Sequence, residues 1–204
     1  MADRGTYKTI RSASSGLYRE KGSRFISWAH PVKNENDIKQ IIDHIRKEYH
    51  EARHHCYAWV TGAEADKWRA NDDGEPSGTA GRPILGQIRS FGLTNILIVV
   101  SRYFGGTLLG TSGLINAYKT AASDALQNAE ITEHVVKASY ELFFPYRSIN
   151  DVMKIIKEED IEQSEHSFDL ECRIIIAFRA TDRERILSRF LRIDGLKHRY
   201  NDSD

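Results

Sequence analysis

The sequence predicts an α+β protein of two domains, residues 1–134 and 135–204, and three observations predict it. The last third reads as strand, helix, strand, strand, helix, strand, which is the β-α-β-β-α-β order of a ferredoxin-like sandwich. The first two-thirds mixes 3.6-residue helical stripes with apolar, aromatic-rich strand runs. Glycine separates the two parts: every glycine except Gly195 lies at or before Gly113. The boundary falls between residues 130 and 138, and no Pro- or Ser-rich linker marks it.

In the first domain Lys21 to Ala29 alternates as a strand, and Asn36 is expected to cap a helix carrying Ile38, Ile41, Ile42, Ile45 and Tyr49. His54 to Val60 reads as a strand, and Asn95 to Ser101 is apolar throughout, as a strand covered on both faces should be. Between them Ile84, Leu85, Ile88 and Phe91 form a short helical stripe, with Pro83 in its first turn and Gly92 at its end. A longer helix carries Leu114, Tyr118, Ala121 and Ala125 on one stripe with Ile115, Ala122 and Leu126 beside it, and ends at Asn128. In the second domain, strands are expected at 138–144, 160–166, 168–178 and near 196–200, with helices at 147–157 and 182–192. Phe168, Leu170, Cys172, Ile174, Ile176 and Phe178 alternate strictly, and Thr181 with Glu184 makes a capping box before Ile186, Leu187 and Phe190.

Composition removes several classes. The 204 residues are 40% hydrophobic and 28% charged, which excludes a disordered chain, and no apolar run is long enough to span a membrane. The first residues, MADRGTYKTIRSASSG, hold charges where a secretory signal needs an apolar stretch, and Cys56 and Cys172 are the only thiols. A reducing cytoplasm is the expected location. Twenty-nine basic and 29 acidic side chains cancel, so any polyanion must be held by a local patch.

Most of the chemistry sits in two segments, DDGEPSGTAGRP (72–83) and RYFGGTLLGTSGL (102–114), each leading into a helix. Glycines allow positive φ and close approach to the backbone, and a helix start presents unpaired N–H groups and the positive end of the macrodipole, which together suit an anion. The expected anion site takes Thr79, Gly81, Arg82, Arg102, Tyr103, Phe104, Gly105, Gly106, Thr111, Ser112 and Gly113, with Arg82 and Arg102 as charged forks. Ordinary capping and turn chemistry would explain the same residues. Neither segment is a Walker loop or a GxGxxG fingerprint. Asp72, Asp73 and Glu75 form an acid cluster that either holds Mg²⁺, shares protons in catalysis, or is a solvated turn. If an anion binds, these acids must point away from it or hold a bridging cation.

His54, His55 and Cys56 invite a metal, but adjacent strand residues face opposite ways and no further ligand motif completes a set, so neither metal nor cofactor is expected. Cys172 reads as a core thiol, and Ser112 has no identifiable His and Asp partners. On the last helix Arg185, Arg189 and Arg192 share one side and form a candidate nucleic-acid face, unless Asp182 and Glu184 tie them down.

Three stretches resemble the YigZ/IMPACT family: ARHHCYAW at 52–59, DDGEPSGTAGRP at 72–83 and VSRYFGGTLLGTSGLINAY at 100–118. The resemblance runs from KGSRF at residue 21 to about residue 128, and the remainder is similar in pattern to the C-terminal domain of the bacterial YigZ branch. It implies a first domain similar to domain IV of translation elongation factor G, an α/β sandwich with a left-handed crossover, and a second similar to domain V. The family's motif residues fall here on His54, Asp72, Asp73, Glu75, Thr79, Gly81, Arg102, Tyr103, Gly105, Gly106, Gly110 and Gly113. Eukaryotic members regulate translation by competing for the activator of a starvation-responsive initiation-factor kinase.

Three functions remain open at this point. The first is a cytoplasmic RNA- or ribosome-associated binding protein that regulates translation without covalent chemistry, its ligand in an inter-domain cleft. The others are an enzyme acting on a small phosphorylated or carboxylated metabolite with Mg²⁺-assisted acid and base chemistry, and a protein-interaction module. No membrane partner is expected, and the sequence leaves oligomeric state open.

Overall fold

A computed structural model describes residues 5–168 and 171–201, with Phe168 described in its backbone only. The described residues fall into two compact units: Tyr7–His134, and those from Val135 to Asn201 together with Gly5 and Thr6.

The first unit is an α/β sandwich built from strands β1 (Thr6–Ile10), β2 (Ser14–Glu20) and β3 (Ser23–Pro31), helix α1 (Glu35–Glu48), strands β4 (His54–Thr61) and β5 (Lys67–Asn71), helix α2 (Gly81–Ser90), strand β6 (Ile96–Tyr103), helix α3 (Gly110–Gln127) and strand β7 (Ile131–Val135). Its main sheet has the order β2-β3-β6-β4-β5, and β1 pairs with β7 separately. The apolar run of β6 becomes the central strand because both of its faces are covered. Ile96, Ile98 and Val100 pack with Phe25, Ala58 and Val60 under α2 and α3, while Leu97 and Val99 pack with Tyr57 and Trp28 under α1. β3 and β4 both run antiparallel to β6, so α1 connects two parallel strands that have a third between them.

Helix α3 lies close to the sheet because its inner face is built of alanines. Ala117, Ala121, Ala122 and Ala125 are fully buried, the Ser27 hydroxyl donates to the Ala121 carbonyl at 2.6 Å, and a Cβ at Gly16 would sit 2.5 Å from the Ala125 nitrogen. This close approach brings Tyr118 over the end of β4. Ile115, expected beside the buried stripe, is 39% exposed instead.

The second unit has strand β8 (Lys137–Pro145), helix α4 (Ile149–Glu158), strands β9 (Glu162–Phe168) and β10 (Glu171–Arg179), helix α5 (Arg183–Phe190) and strand β11 (Lys197–Tyr200). The sheet order β11-β8-β10-β9, antiparallel throughout, is ferredoxin-like. Tyr140, Leu142, Phe144, Cys172, Ile174, Ile176 and Phe178 face Val152, Ile156, Ile186 and Phe190 of the two helices. Leu170, part of the alternation read from the sequence, lies outside the described residues, as does the Phe168 side chain.

Local details differ from the sequence reading. Asn34, not Asn36, caps α1: its side chain accepts from the Asp37 amide, two residues earlier than the apolar stripe suggests. Thr181 makes no capping box, because residues Ala180–Asp182 form a 3₁₀ turn and α5 starts at Arg183 with no side-chain cap. Helix α4 likewise starts at Ile149, after a 3₁₀ turn at Tyr146–Ser148. Strands β1, β2, β5 and β7 carry mostly half-buried or exposed side chains and give no apolar run to read. Among the described residues, no helix is long and apolar enough to cross a membrane.

Candidate functional site

The 72–83 segment folds around its own carboxylates. Asp72 accepts from the amides of Gly78 (2.8 Å), Ala80 (3.0 Å) and Gly81 (2.8 Å), so the start of α2 is closed by the chain itself. Burial alone would raise the Asp72 pKa, but the Gly78, Gly81 and Ala80 amides outweigh it and hold the carboxyl below its ordinary value. The Thr79 hydroxyl donates to the Pro76 carbonyl and is buried, and Arg82 is exposed. A Cβ at Gly81 would lie 2.5 Å from the Asn71 nitrogen, so this glycine serves close packing against β5. Of the residues expected to hold an anion at this helix start, Gly81 gives its amide to Asp72 and Thr79 gives both its amide and its hydroxyl to the Pro76 carbonyl.

The three acids diverge. Asp73, at φ 42°, pairs with Arg46 at 2.7 Å, accepts from the His55 amide at 2.6 Å, and its main-chain carbonyl meets His54 Nδ1 at 2.8 Å. Glu75 turns inward: its Oε1 accepts from Arg102 at 2.6 Å and from the Tyr118 hydroxyl at 2.8 Å. The side chains of Arg102 and Glu75 are 7% and 3% exposed, which makes them a buried ion pair rather than a fork and a base open to a ligand. Cys56 extends the network, with Sγ 3.3 Å from the Tyr118 hydroxyl and 3.0 Å from the Asp72 carbonyl. Burial pushes both the Cys56 thiol and the Tyr118 hydroxyl up, so neither is an ionised nucleophile. Next to them His55 Nδ1 meets Ser101 Oγ at 2.6 Å, and burial pulls the imidazole pKa down against the opposing pull of Asp73. Among the described residues no three His, Cys, Asp or Glu side chains are placed to hold a metal ion. One polar atom in this network has no partner: Arg102 Nε is buried and unpaired, its guanidinium 5.5 Å from the Phe25 ring and 5.6 Å from the Phe104 ring.

The 102–114 segment is open by contrast. Gly105 anchors it, its amide donating to Ser23 Oγ at 3.1 Å, and a Cβ there would lie 1.9 Å from the Gly22 carbonyl carbon. Beyond it, Gly106 (φ 86°) and Gly110 (φ 69°) bracket a projecting loop whose Leu108 is 83% exposed. Helix α3 starts without a side-chain cap, with Thr111 and Ser112 exposed and Gly113 half-buried. Arg24 lies over the Tyr103 ring at 4.7 Å and Arg53 over the Phe104 ring at 5.3 Å.

Sequence reading missed Arg19, Lys21, Arg24 and Arg53. Arg19 and Arg24 are cross-strand partners between β2 and β3, and Arg24 is in turn the partner of Tyr103 on β6. Like charges directly opposite each other destabilise a sheet. Among the described residues none of Arg19, Lys21, Arg24 and Arg53 pairs with a carboxylate, and all four are exposed. The contact of Gly22 with Gly105 sets this cationic hairpin against the open loop. Only the pairing of β2 with β3 and of β3 with β6 could have disclosed it.

In the second unit, Arg185 pairs with Glu159 and with Asp182 at 3.4 Å, and Arg189 pairs with Glu158 and Glu159. The tethering acids expected were Asp182 and Glu184. Apart from Asp182, they come from the end of α4, and Arg185 and Arg189 hold Glu159 below its ordinary pKa. Arg192 is exposed beside a groove of about 570 Å³ that Arg147, Lys154, Asp151, Glu158 and Asp194 also line.

This fold, an α/β sandwich followed by a ferredoxin-like unit with the two glycine-rich turns at one end of the first sheet, has known relatives. Residues 21–126 match the Impact N-terminal domain, and the chain belongs to the IMPACT family. It is 37% identical over 142 residues to the IMPACT family member YigZ of Escherichia coli, covering 69% of this chain and 70% of that one. It is 39% identical over 128 residues to the family member YvyE of Bacillus subtilis, covering 63% and 59%. A crystal structure of a hypothetical protein overlays on 98% of this chain and 100% of its own, at 27% identity and a TM-score of 0.75.

Proposed function

We propose that this protein is a cytoplasmic RNA- or ribosome-associated binding protein that regulates translation, positioning phosphates by charge and hydrogen bonding without covalent chemistry. The observation that carries the reading is the rim of the first sheet, where Arg19 and Arg24 face each other across β2 and β3 and, among the described residues, pair with no carboxylate. Two opposed guanidinium groups favour a polyanion, because bound phosphates replace the missing counter-charge. Gly106 and the uncapped start of α3 at Thr111, Ser112 and Gly113 lie along the same open segment and add main-chain donors for phosphate oxygens, while the Gly105 amide is held by Ser23 and anchors the loop. Arg192 on the second unit is a further phosphate contact. The family's resemblance to elongation factor G domains and its eukaryotic translational regulators supply the link to translation. The rival enzyme reading loses its support in the divergence of Asp72, Asp73 and Glu75.

The test is a filter-binding titration of the chain against a structured RNA at several salt concentrations. Affinity should fall as salt rises, and Arg24→Gln should reduce the slope of log K against log salt by about 1. Affinity that is absent, or unmoved by salt, removes the proposal.

A further inference from the structure

We infer that the rim of the first unit takes a single-stranded RNA segment, with unpaired bases stacked on the two ring–guanidinium pairs. The inference rests on the RNA reading above and narrows it to one class of target. Charge alone does not choose between RNA forms, since a duplex offers phosphates as readily as a loop does. The apolar surface makes the choice. Phe104 is 38% exposed beneath Arg53, Tyr103 is half-buried beneath Arg24, and Leu108 stands 83% exposed between Gly106 and Gly110. An A-form duplex hides its base faces and presents phosphates and 2′-hydroxyls, so docking on one would leave Leu108 and the Phe104 ring in water. Unpaired bases present apolar π faces that cover such groups, and they stack on aromatic rings and on guanidinium planes. Tyr103 closes the Arg19–Arg24 row, so a ring and two cations that pair with no carboxylate among the described residues lie on three adjacent strands in one register.

The experiment measures fluorescence anisotropy of the intact chain with an unstructured pyrimidine-rich 12-nucleotide RNA and, separately, with the same strand paired to its complement. The single strand should bind about 10-fold or more tightly than the duplex, and Phe104→Ala should weaken the single strand by about 10-fold while leaving the duplex unchanged. Phe104→Trp should retain single-strand affinity, which separates stacking from a folding defect; a thermal melt of each variant checks the fold. If duplex and single strand bind equally, or if Phe104→Ala leaves single-strand affinity intact, this inference fails and the RNA reading stands. If neither RNA binds, both fail.

Discussion

The two glycine-rich segments look alike in sequence and behave oppositely in structure. Each is a run of small residues leading into a helix, yet 72–83 is closed and 102–114 is open. The difference traces to one carboxylate. Asp72 precedes its helix by nine residues and its turn carries it back onto the Gly78, Ala80 and Gly81 amides, while Glu75 enters the interior to meet Arg102. No acid occurs between Arg102 and Gly113, so that helix start has no anionic side chain of its own to fold back on it. A glycine-rich helix start is therefore a ligand site only where the chain has not supplied its own anion.

The largest effect that tests this contrast comes from the closed segment. Glu75→Ala leaves the Arg102 guanidinium buried without its carboxylate, and breaking a buried pair from one side costs about 3–5 kcal/mol. Glu75→Gln, which still accepts from the Tyr118 hydroxyl, should lose less. Chemical denaturation of both variants is the measurement, and a loss below about 1 kcal/mol for Glu75→Ala would mean that the closed segment has water where the contrast requires none.

Next in size is Asp72. Replacing it by Ala abandons three amides and should cost about 1–3 kcal/mol. The same carboxylate gives a pH signature. Its folded pKa lies below its unfolded value, so its contribution is present above the ordinary carboxylate range, near 3.9, and is lost as pH falls through the folded value. The wild-type stability should fall with acidification over that window, and the Asp72→Ala curve should be flatter there. Parallel curves would show that the amides are not held by an ionised Asp72. Gly105→Ala tests the anchor of the open segment. Its Cβ would meet the Gly22–Ser23 backbone at 1.9 and 2.1 Å, and forcing the hairpin aside should cost about 1–3 kcal/mol.

The sequence made the architecture legible where burial is two-sided or strictly alternating. The apolar run 96–100 could only be a central strand, and the Cys172–Phe178 alternation set the ferredoxin-like register. The weak strands β1, β2, β5 and β7 escaped because their faces are only partly covered, and β2 carries half of the candidate rim. The site was half legible for the same reason. Glycines and aromatics announce themselves by type, so Tyr103, Phe104, Gly105 and Gly106 can be named as candidates from the sequence alone. Whether a charge is free or paired depends on long-range contacts: Arg102 is taken by an acid 27 residues away and Arg189 by acids about 30 residues away, whereas Arg19 and Arg24 find none among the described residues. No local pattern distinguishes these cases.

The smallest expected effect on stability sharpens the contrast from the other side. Leu108 lies in the open loop, 83% exposed, where its side chain is solvated in folded and unfolded chains alike. Leu108→Ser should therefore change unfolding free energy by less than about 0.5 kcal/mol, as surface substitutions away from caps and cores do. Seen beside Glu75→Ala, this would place the two segments at opposite ends of the stability scale despite their shared composition. A loss of more than about 1 kcal/mol would show that Leu108 packs against something when the chain is in solution, and the loop would then be a second closed segment.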